Sequence, residues 1–151
     1  MAKKGLVRAE PDREPRSQAA ALPWRFSKEG AVEVLLITSR QTRRWVIPKG
    51  WPIKGLKMPQ TAAREAFEEA GVEGELSKKK VGVFHYEKRV ASGRLQQIRV
   101  AVYSLKVAAE REVWPEVDQR EKLWTTLTAA ADLVHEAELA ELLRNFSPAS
   151  S

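Results

Sequence analysis

The first third of the chain carries two apolar stretches whose lengths are typical of β-strands. Residues 17–25 (SQAAALPWR) are short and apolar, and residues 31–38 (AVEVLLIT) are mostly β-branched or aliphatic. A continuous apolar run of the second kind predicts a strand buried on both faces. Turn-forming residues 27–30 separate the two stretches, so we expect a β-hairpin. Residues 45–47 then predict a short strand that Pro48 ends.

The middle of the chain changes from turn-forming residues to a helical pattern. Residues 49–59 hold two glycines and two prolines, and this composition predicts a loop without regular structure. A helix is predicted over residues 60–70. Pro59 is a favourable first helical residue, and Gly71 suits the left-handed position that ends a helix.

A second hairpin is predicted after this helix. Residues 73–80 are polar and predict a turn. Residues 81–90 (VGVFHYEKRV) and 96–107 (QQIRVAVYSLKV) alternate between apolar and polar side chains, as half-buried strands do. Residues 91–94 (ASGR) form the hairpin loop between them, so the two strands are expected to pair.

The last part of the chain predicts a loop, a strand and two helices. Residues 108–121 are charged and contain Pro115, which favours a loop before a short strand at 122–126. Thr128 is a candidate N-cap for a helix over residues 129–134. A final helix is predicted from an apolar stripe at helical spacing, formed by Leu139, Leu142, Leu143 and Phe146.

Hairpins with one internal helix and closing helices indicate an α+β domain. We place this domain at residues 17–146 of the 151, between a flexible, charged tail at 1–16 and a polar tail at 147–151. Absence of cysteine excludes disulfides, thiolate metal sites and a cysteine nucleophile. No apolar run approaches the roughly 18 residues of a membrane span. We therefore expect a cytoplasmic protein with no membrane partner.

The net charge of +6 is distributed unevenly along the chain. Between Val34 and Arg64 there is no acidic residue, but there are seven basic ones. This tract leads directly into a carboxylate-rich helix. Such a juxtaposition suits an anionic substrate held partly through metal, although a nucleic-acid surface has the same charge.

Three carboxylates lie within five residues of the predicted helix. At about 100° per residue, Glu65, Glu68 and Glu69 fall on one arc of the helix. Like charges at these spacings destabilise a bare helix, and a divalent cation would compensate them. An all-oxygen cluster suits Mg²⁺, Mn²⁺ or Ca²⁺. The opposite arc, which a core would cover, consists of Ala63, Ala66, Phe67 and Ala70.

The segment from Gly50 to Val72 resembles the Nudix box, the signature of hydrolases that cut nucleoside diphosphates linked to another group. That box reads Gly, five residues, Glu, seven residues, Arg-Glu, an apolar residue, any residue, Glu-Glu, any residue, Gly, an apolar residue. One position departs from it, because Leu56 replaces the first Glu. The positions that match are Gly50, Arg64, Glu65, Ala66, Glu68, Glu69, Gly71 and Val72.

The resemblance implies a fold and a set of roles. The Nudix fold is an α/β/α sandwich around a mixed sheet. Glu65, Glu69 and the backbone carbonyl of Gly50 would bind Mg²⁺, or alternatively Mn²⁺. Glu68 would be a further ligand or the proton acceptor, and Arg64 would orient the carboxylates. Some members supply another ligand from a late loop, where the sequence does not select among Glu112, Glu116 and Asp118.

The run from Arg43 to Gly50 resembles, more specifically, the diphosphoinositol polyphosphate and diadenosine polyphosphate hydrolases of this superfamily. The likeness implies a small-molecule polyphosphate substrate. Arg can grip phosphate with two donors, and Arg40 is the first choice for this. The phosphate contacts implied by the likeness are Arg16, Thr38, Ser39, Arg40 and Arg120.

We therefore expect a Mg²⁺-dependent pyrophosphohydrolase acting on a dinucleoside polyphosphate or a diphosphoinositol polyphosphate. The net charge also favours removal of pyrophosphate from an RNA 5′ end, and Leu56 favours a nucleotide-binding module without turnover. His85 and His135 have no partner pattern and are interpreted as structural, and Trp51 as a packing residue. The sequence does not specify the oligomeric state.

Overall fold

The computed structural model describes residues 16–148, in which one sheet lies between helices. No helix in these residues is both long and apolar enough to cross a membrane. The strands are β1 (Arg16–Phe26), β2 (Val32–Thr38), β3 (Trp45–Val46), β4 (Lys49–Gly50), β5 (Val72–Leu76), β6 (Gly82–Arg89), β7 (Leu95–Glu110) and β8 (Lys122–Thr126). The helices are α1 (Met58–Ala70), α2 (Leu127–Leu133) and α3 (Ala137–Asn145).

The sheet is mixed, as predicted, with the spatial order β3-β2-β1-β7-β5. Strands β1 and β7 run parallel, from the pair Arg16–Ile98 to the pair Trp24–Lys106. The remaining pairings are antiparallel and include the two predicted hairpins, β1–β2 and β6–β7. Strand β4 pairs with β1, and β8 pairs with β2. Strand β1 is therefore central in the sheet, with neighbours on both edges.

Two hydrophobic cores lie on opposite faces of this sheet. On one face, Leu22 and Val100 pack with Leu139 and Leu143 of α3. On the other face, Ala21 and Leu35 pack with alanines of α1. Successive strand residues point to opposite faces, so a strand covered by helices on both sides must be apolar at every position. The α/β/α sandwich is thereby confirmed.

Strand β5 replaces the polar turn that was predicted at residues 73–80. It pairs with the end of β7, which therefore extends to Glu110 instead of giving way to a loop at residue 108. The prediction was wrong because β5 is at an edge, where residues 73–75 are exposed and need not be apolar. Gly74 is required there, since a Cβ would overlap the Lys106 carbonyl oxygen.

Two further boundaries differ from the prediction. The N-cap of α2 is Thr126 instead of Thr128, because the Thr126 Oγ1 accepts from Ala129 N at 3.1 Å. Arg16, assigned to the N-terminal tail, is the first residue of β1. The rest of the predicted tail, and the last residues of the C-terminal one, lie outside the described residues.

The predicted loop at 49–59 contains the two-residue strand β4. Lys49 and Gly50 pair with Ala20 and Ala19 of β1, and Pro48 accepts a hydrogen bond from Ala21 N at 3.0 Å. The three small side chains of β1 are completely buried. This pairing fixes the position of Gly50 against the centre of the sheet.

Gly71 ends α1 in the left-handed conformation, as predicted, with φ of 70° and ψ of 25°. A Cβ at this position would lie 2.5 Å from Cε3 of Trp114. Trp114 also donates from Nε1 to the Glu69 carbonyl at 3.2 Å. The end of α1 is therefore held by a residue of the loop that follows β7.

We expect Gly71→Ala to destabilise the fold more than Gly30→Ala. Gly30 also has positive φ, +87°, but a Cβ there would meet nothing within 4 Å. Gly30→Ala should therefore cost only the left-handed strain, about 1 kcal/mol. Gly71→Ala should cost at least about 1 kcal/mol more, because Trp114 must move. Urea unfolding of both variants measures the difference, and equal losses would contradict the role of Trp114.

Candidate functional site

Helix α1 carries its carboxylates at different depths, unlike the single arc expected from the sequence. Glu69 is buried, with 7% of its surface exposed. Glu65 and Glu68 are partly exposed, and so is Phe67, which was expected in the core. The buried positions of α1 are Thr61, Ala62, Ala66, Glu69 and Ala70. The arc was misplaced because the small residues, and not Phe67, face the sheet.

Glu65 and Glu69 form a hydrogen-bonded carboxyl pair. Burial raises the pKa of Glu69 to about 8, with the hydrogen bond and charge of Glu65 adding to the rise and the charge of Arg120 opposing it. Burial also raises the pKa of Glu65, although its hydrogen bond to Glu69 lowers it. The pair therefore holds a proton near neutral pH in the absence of a sufficient counter-charge.

Gly50 lies against this pair. A Cβ on Gly50 would overlap the carboxylate carbon and oxygens of Glu65. The neighbouring residue contributes as well, since Lys49 N donates to Glu69 Oε1 at 3.3 Å. Strand β4 thus brings the backbone of residues 49–50 to the same two carboxylates that α1 presents.

Arg120 joins the pair to the loop after β7. Its guanidinium lies 3.6 Å from Glu69 Oε2, and both side chains are 9% exposed. The same guanidinium donates to Glu116 Oε1 at 2.8 Å and to the Thr38 carbonyl at 3.1 Å. Glu116 is also near the pair, since its charge contributes to raising the pKa of Glu65, and its N–H donates to the Glu68 carbonyl at 3.0 Å.

Of the three acidic residues that the sequence left open in this loop, the structure brings Glu116 nearest to the carboxyl pair. Glu112 and Asp118 have no contact with Glu65 or Glu69 among the interactions of the described residues. Residue 112 is exposed, as is most of this loop.

Glu68 is near enough to the pair for its charge to contribute to raising the pKa of Glu65. Its carboxylate lies 3.8 Å from Arg64 in an exposed i,i+4 contact. Residues 16–148 contain no group of three His, Cys, Asp or Glu side chains close enough to hold a metal ion. The predicted roles of Glu68 and Arg64 in catalysis stay predictions.

The remaining donors fit a hard divalent cation. Burial raises the pKa of both carboxyl groups, a cation bound there would oppose that rise, and the absent Cβ of Gly50 leaves its backbone beside them. All of these donors are oxygens, which Mg²⁺ and Mn²⁺ prefer. Leu56 is half-buried in the preceding loop and offers no donor. Metal binding by Glu65, Glu69 and the Gly50 carbonyl stays a prediction.

Glu69 lies in the wall of a cleft of about 910 Å³. The cleft runs between the loop after β2, strand β6 and the beginning of α3. Six cationic side chains line it: Arg40, Arg44, Lys49, Lys88, Arg89 and Arg120. Burial lowers the pKa of Lys49, and the charges of Glu69 and Glu136 oppose that shift.

The structure brings some of the predicted phosphate contacts together and separates others. Ser39, Arg40 and Arg120 line the cleft. Thr38 is 3% exposed. Its Oγ1 accepts a hydrogen bond from Glu121 N at 2.9 Å, so Thr38 helps to hold the end of the loop that follows β7. Arg16 is outside the lining, with its guanidinium 4.5 Å from the Trp51 ring centroid. Substrate contact by these five residues stays a prediction.

Sequence reasoning missed the part of the cleft that β6 and α3 supply. Lys88 and Arg89 line it from β6, and the only sequence signal for them is the alternation of that strand. His85, taken as structural, also lines the cleft, and its Nδ1 lies 3.0 Å from Glu138 Oε1. The Tyr86 hydroxyl donates to Gln18 at 2.7 Å. Residues so far apart in sequence leave no common motif.

Comparison with known proteins gives one family and many relatives. Residues 15–146 match the family described as NUDIX domain. The chain is 32% identical over 136 residues to Nudix hydrolase 21, chloroplastic, of Arabidopsis thaliana, covering 87% of this chain. It is 36% identical over 100 residues to diphosphoinositol polyphosphate phosphohydrolase 2 of Rattus norvegicus, covering 66% of this chain and 50% of that protein.

Solved structures share the fold. The Ap4A hydrolase of C. elegans superposes with a TM-score of 0.64 at 23% identity, covering 91% of this chain and 100% of that one. The chain spans 66%, 65% and 58% of the lengths of the Arabidopsis relatives Nudix hydrolases 21, 4 and 12.

Replacing Glu69 should change how stability depends on pH. Glu69 keeps its proton up to about pH 8 in the folded protein, whereas its ordinary pKa is 4.5. The wild-type free energy of unfolding should therefore fall as pH rises from about 5 to 8, because the unfolded chain ionises first. Gln does not ionise, so Glu69→Gln should gain over wild type across this window, by at least about 1 kcal/mol at pH 8.

Urea unfolding in a chelating buffer between pH 5 and 9 measures this gap, the difference in free energy of unfolding between Glu69→Gln and wild type. It should grow up to pH 8 and then stay constant. Glu68→Gln is the matched control, because the Glu68 side chain is 38% exposed. A gap that is the same at every pH would contradict the proton-holding pair.

Proposed function

We propose that this chain, which belongs to the NUDIX domain family, is a divalent-cation-dependent hydrolase that cleaves a phosphoanhydride bond. The observation that supports this most directly is the Glu65–Glu69 pair, which adjoins Gly50 and whose buried member, Glu69, lies in the wall of a cationic cleft. A carboxyl pair of this kind is costly to bury without a cation. The match to the NUDIX domain family covers residues 15–146, which include the strand and the helix that form this pair.

Cleaving a phosphoanhydride requires charge neutralisation, a positioned water and a proton acceptor. A divalent cation, Mg²⁺ first and Mn²⁺ as the alternative, supplies charge neutralisation and activation of water when bound. Glu65 and Glu69 hold the cation. Arg120 and the Lys49 N–H keep Glu69 in place, because each contacts one of its oxygens. Glu116 is the extra ligand that the late loop would supply.

Glu68 is the proposed proton acceptor. Its carboxylate is 38% exposed and is not part of the buried pair, so it is free to meet a water from solvent. Arg64, 3.8 Å away, orients it from the same face of α1. Of the three carboxylates of α1, this division leaves two for the cation and one for the proton.

The substrate class we propose is a dinucleoside polyphosphate or a diphosphoinositol polyphosphate. The six cationic side chains of the cleft support a substrate with several phosphates. One relative is named for a diphosphoinositol polyphosphate and one structural neighbour for Ap4A. Ser39 and Arg40 are the proposed first contacts, because they lie in the loop that forms one wall. The cytoplasmic location is part of the same proposal and rests on the absence of cysteine.

Product formation from a substrate panel with Mg²⁺, resolved by ion-exchange chromatography, tests this function. The panel contains diadenosine tetraphosphate, a diphosphoinositol pentakisphosphate, ADP-ribose and a 5′-triphosphorylated RNA oligonucleotide. Turnover of the first or second supports the proposal. Preference for the RNA would instead support RNA 5′-pyrophosphate removal, and no turnover with retained binding would support a non-catalytic module.

Glu68→Gln and Glu69→Gln should each lose at least about a hundredfold in kcat, the scale of lost acid–base or metal catalysis. Glu75→Gln is the control, since Glu75 is an exposed carboxylate of the edge strand β5. Circular dichroism establishes that the variants are folded. Near wild-type turnover in both site variants would refute the assignment.

A further inference from the structure

Glu136 is the residue immediately before α3. The residue lines the cleft. Its Oε1 is buried and has no hydrogen-bond partner among the described residues. Two other buried side-chain atoms of residues 16–148 share this property, Trp24 Nε1 and Ser104 Oγ, and neither residue lines the cleft.

Neither of the structural contacts of Glu136 gives its Oε1 a hydrogen bond. Glu136 is the N-cap of α3, but its side chain accepts no capping hydrogen bond. Lys49 is near enough to be affected by its charge, yet the Lys49 ammonium lies 4.9 Å from the Tyr86 ring centroid and does not bond to Oε1. The other carboxylate of this edge, Glu138, is occupied by the His85 ring and backbone.

A buried carboxylate oxygen without a donor has lost its hydration and gained nothing in return. A ligand group with an O–H or N–H satisfies it. A phosphate does not, because near neutral pH it brings acceptor oxygens and like charge. Glu136 therefore favours a ligand group that donates a hydrogen bond, whereas Arg40 and Arg44 in the same cleft favour an anionic group.

This requirement discriminates between the two substrate classes proposed above. In a diphosphoinositol pentakisphosphate every ring oxygen carries phosphate, so the molecule has no neutral donor. A dinucleoside polyphosphate carries ribose hydroxyls and base amino groups beside its phosphates. We propose that Glu136 accepts a hydrogen bond from such a nucleoside donor, and that it thereby selects dinucleoside polyphosphates over fully phosphorylated inositols. This inference rests on the proposed function.

Equilibrium binding tests the selection without depending on turnover. The probes are a methylene-bridged, non-hydrolysable analogue of diadenosine tetraphosphate and inositol hexakisphosphate, titrated calorimetrically into the full chain. Glu136→Ala should weaken the dinucleotide analogue about tenfold to a hundredfold, the range for hydrogen bonds to charged groups. The same variant should bind inositol hexakisphosphate several-fold more tightly, because a like charge is removed.

Glu87→Ala is the matched control. Glu87 is an exposed carboxylate of the same cleft, so this variant removes the same charge without removing the buried acceptor. This variant should increase the affinity for both ligands by similar small factors. If Glu136→Ala also shifts both affinities in one direction by one factor, only bulk charge is involved and the proposal is overturned.

Substrate analogues identify the donor. Versions of the dinucleotide analogue with 2′-deoxyribose, 3′-deoxyribose or inosine each lack one candidate group. The analogue that lacks the true donor should bind the wild type more weakly, yet bind Glu136→Ala no worse than the parent analogue does. Equal losses in wild type and variant for every analogue would overturn the contact.

Hydrolysis of diadenosine tetraphosphate, measured in parallel, separates this inference from the proposed function. Binding that depends on Glu136 without any turnover would refute the hydrolase proposal and support the contact. Turnover that is independent of Glu136, with unchanged substrate preference, would support the hydrolase and refute the contact.

Discussion

The burial of the Glu69 carboxyl beside that of Glu65 is the constraint on which the rest of the site depends. Two carboxyl groups in a poorly hydrated place cannot both ionise without compensation. Two segments that are distant from α1 in sequence supply compensation: strand β4 gives a backbone N–H, and the late loop gives Arg120. The site therefore depends on several elements of the fold and not on the helix alone.

The sheet explains why these elements stay together. The small residues Ala19 and Ala20 of β1 pair with Gly50 and Lys49, so β4 has a fixed depth. The C-terminal end of α1 is fixed by Trp114, which contacts Gly71 and the Glu69 carbonyl. Glu69 is therefore held between β4 and the loop that carries Trp114. Packing of this kind has a stiff geometry.

The resemblance to the Nudix box implied the sandwich and grouped Gly50 with the carboxylates of α1, but no sequence signal indicated the other half of the site. Continuous apolar runs are visible when helices cover both faces of a strand, as in β2. The edge strand β5 lacked that signal, since its middle residues are solvated. A helical wheel also misplaced Glu69, because burial depends on the partner surface as well as on spacing. Lys88 and Glu136 line the same cleft only because the topology of the fold brings β6 and the beginning of α3 together.

The anion-binding character of the cleft depends less on the number of basic residues than on whether each of them is already paired with a carboxylate. The basic tract before α1 predicted an anion site, yet Arg43 is paired with Glu121 and Arg64 with Glu68. Arg40, Arg44 and Lys49 reach the cleft. There they face four carboxylates: Glu69, Glu87, Glu136 and Glu138. A uniformly basic surface would attract any polyphosphate, whereas a mixed surface discriminates, because a misplaced phosphate meets like charge. Under the proposed function, the carboxylates would therefore provide the specificity and the cations the attraction.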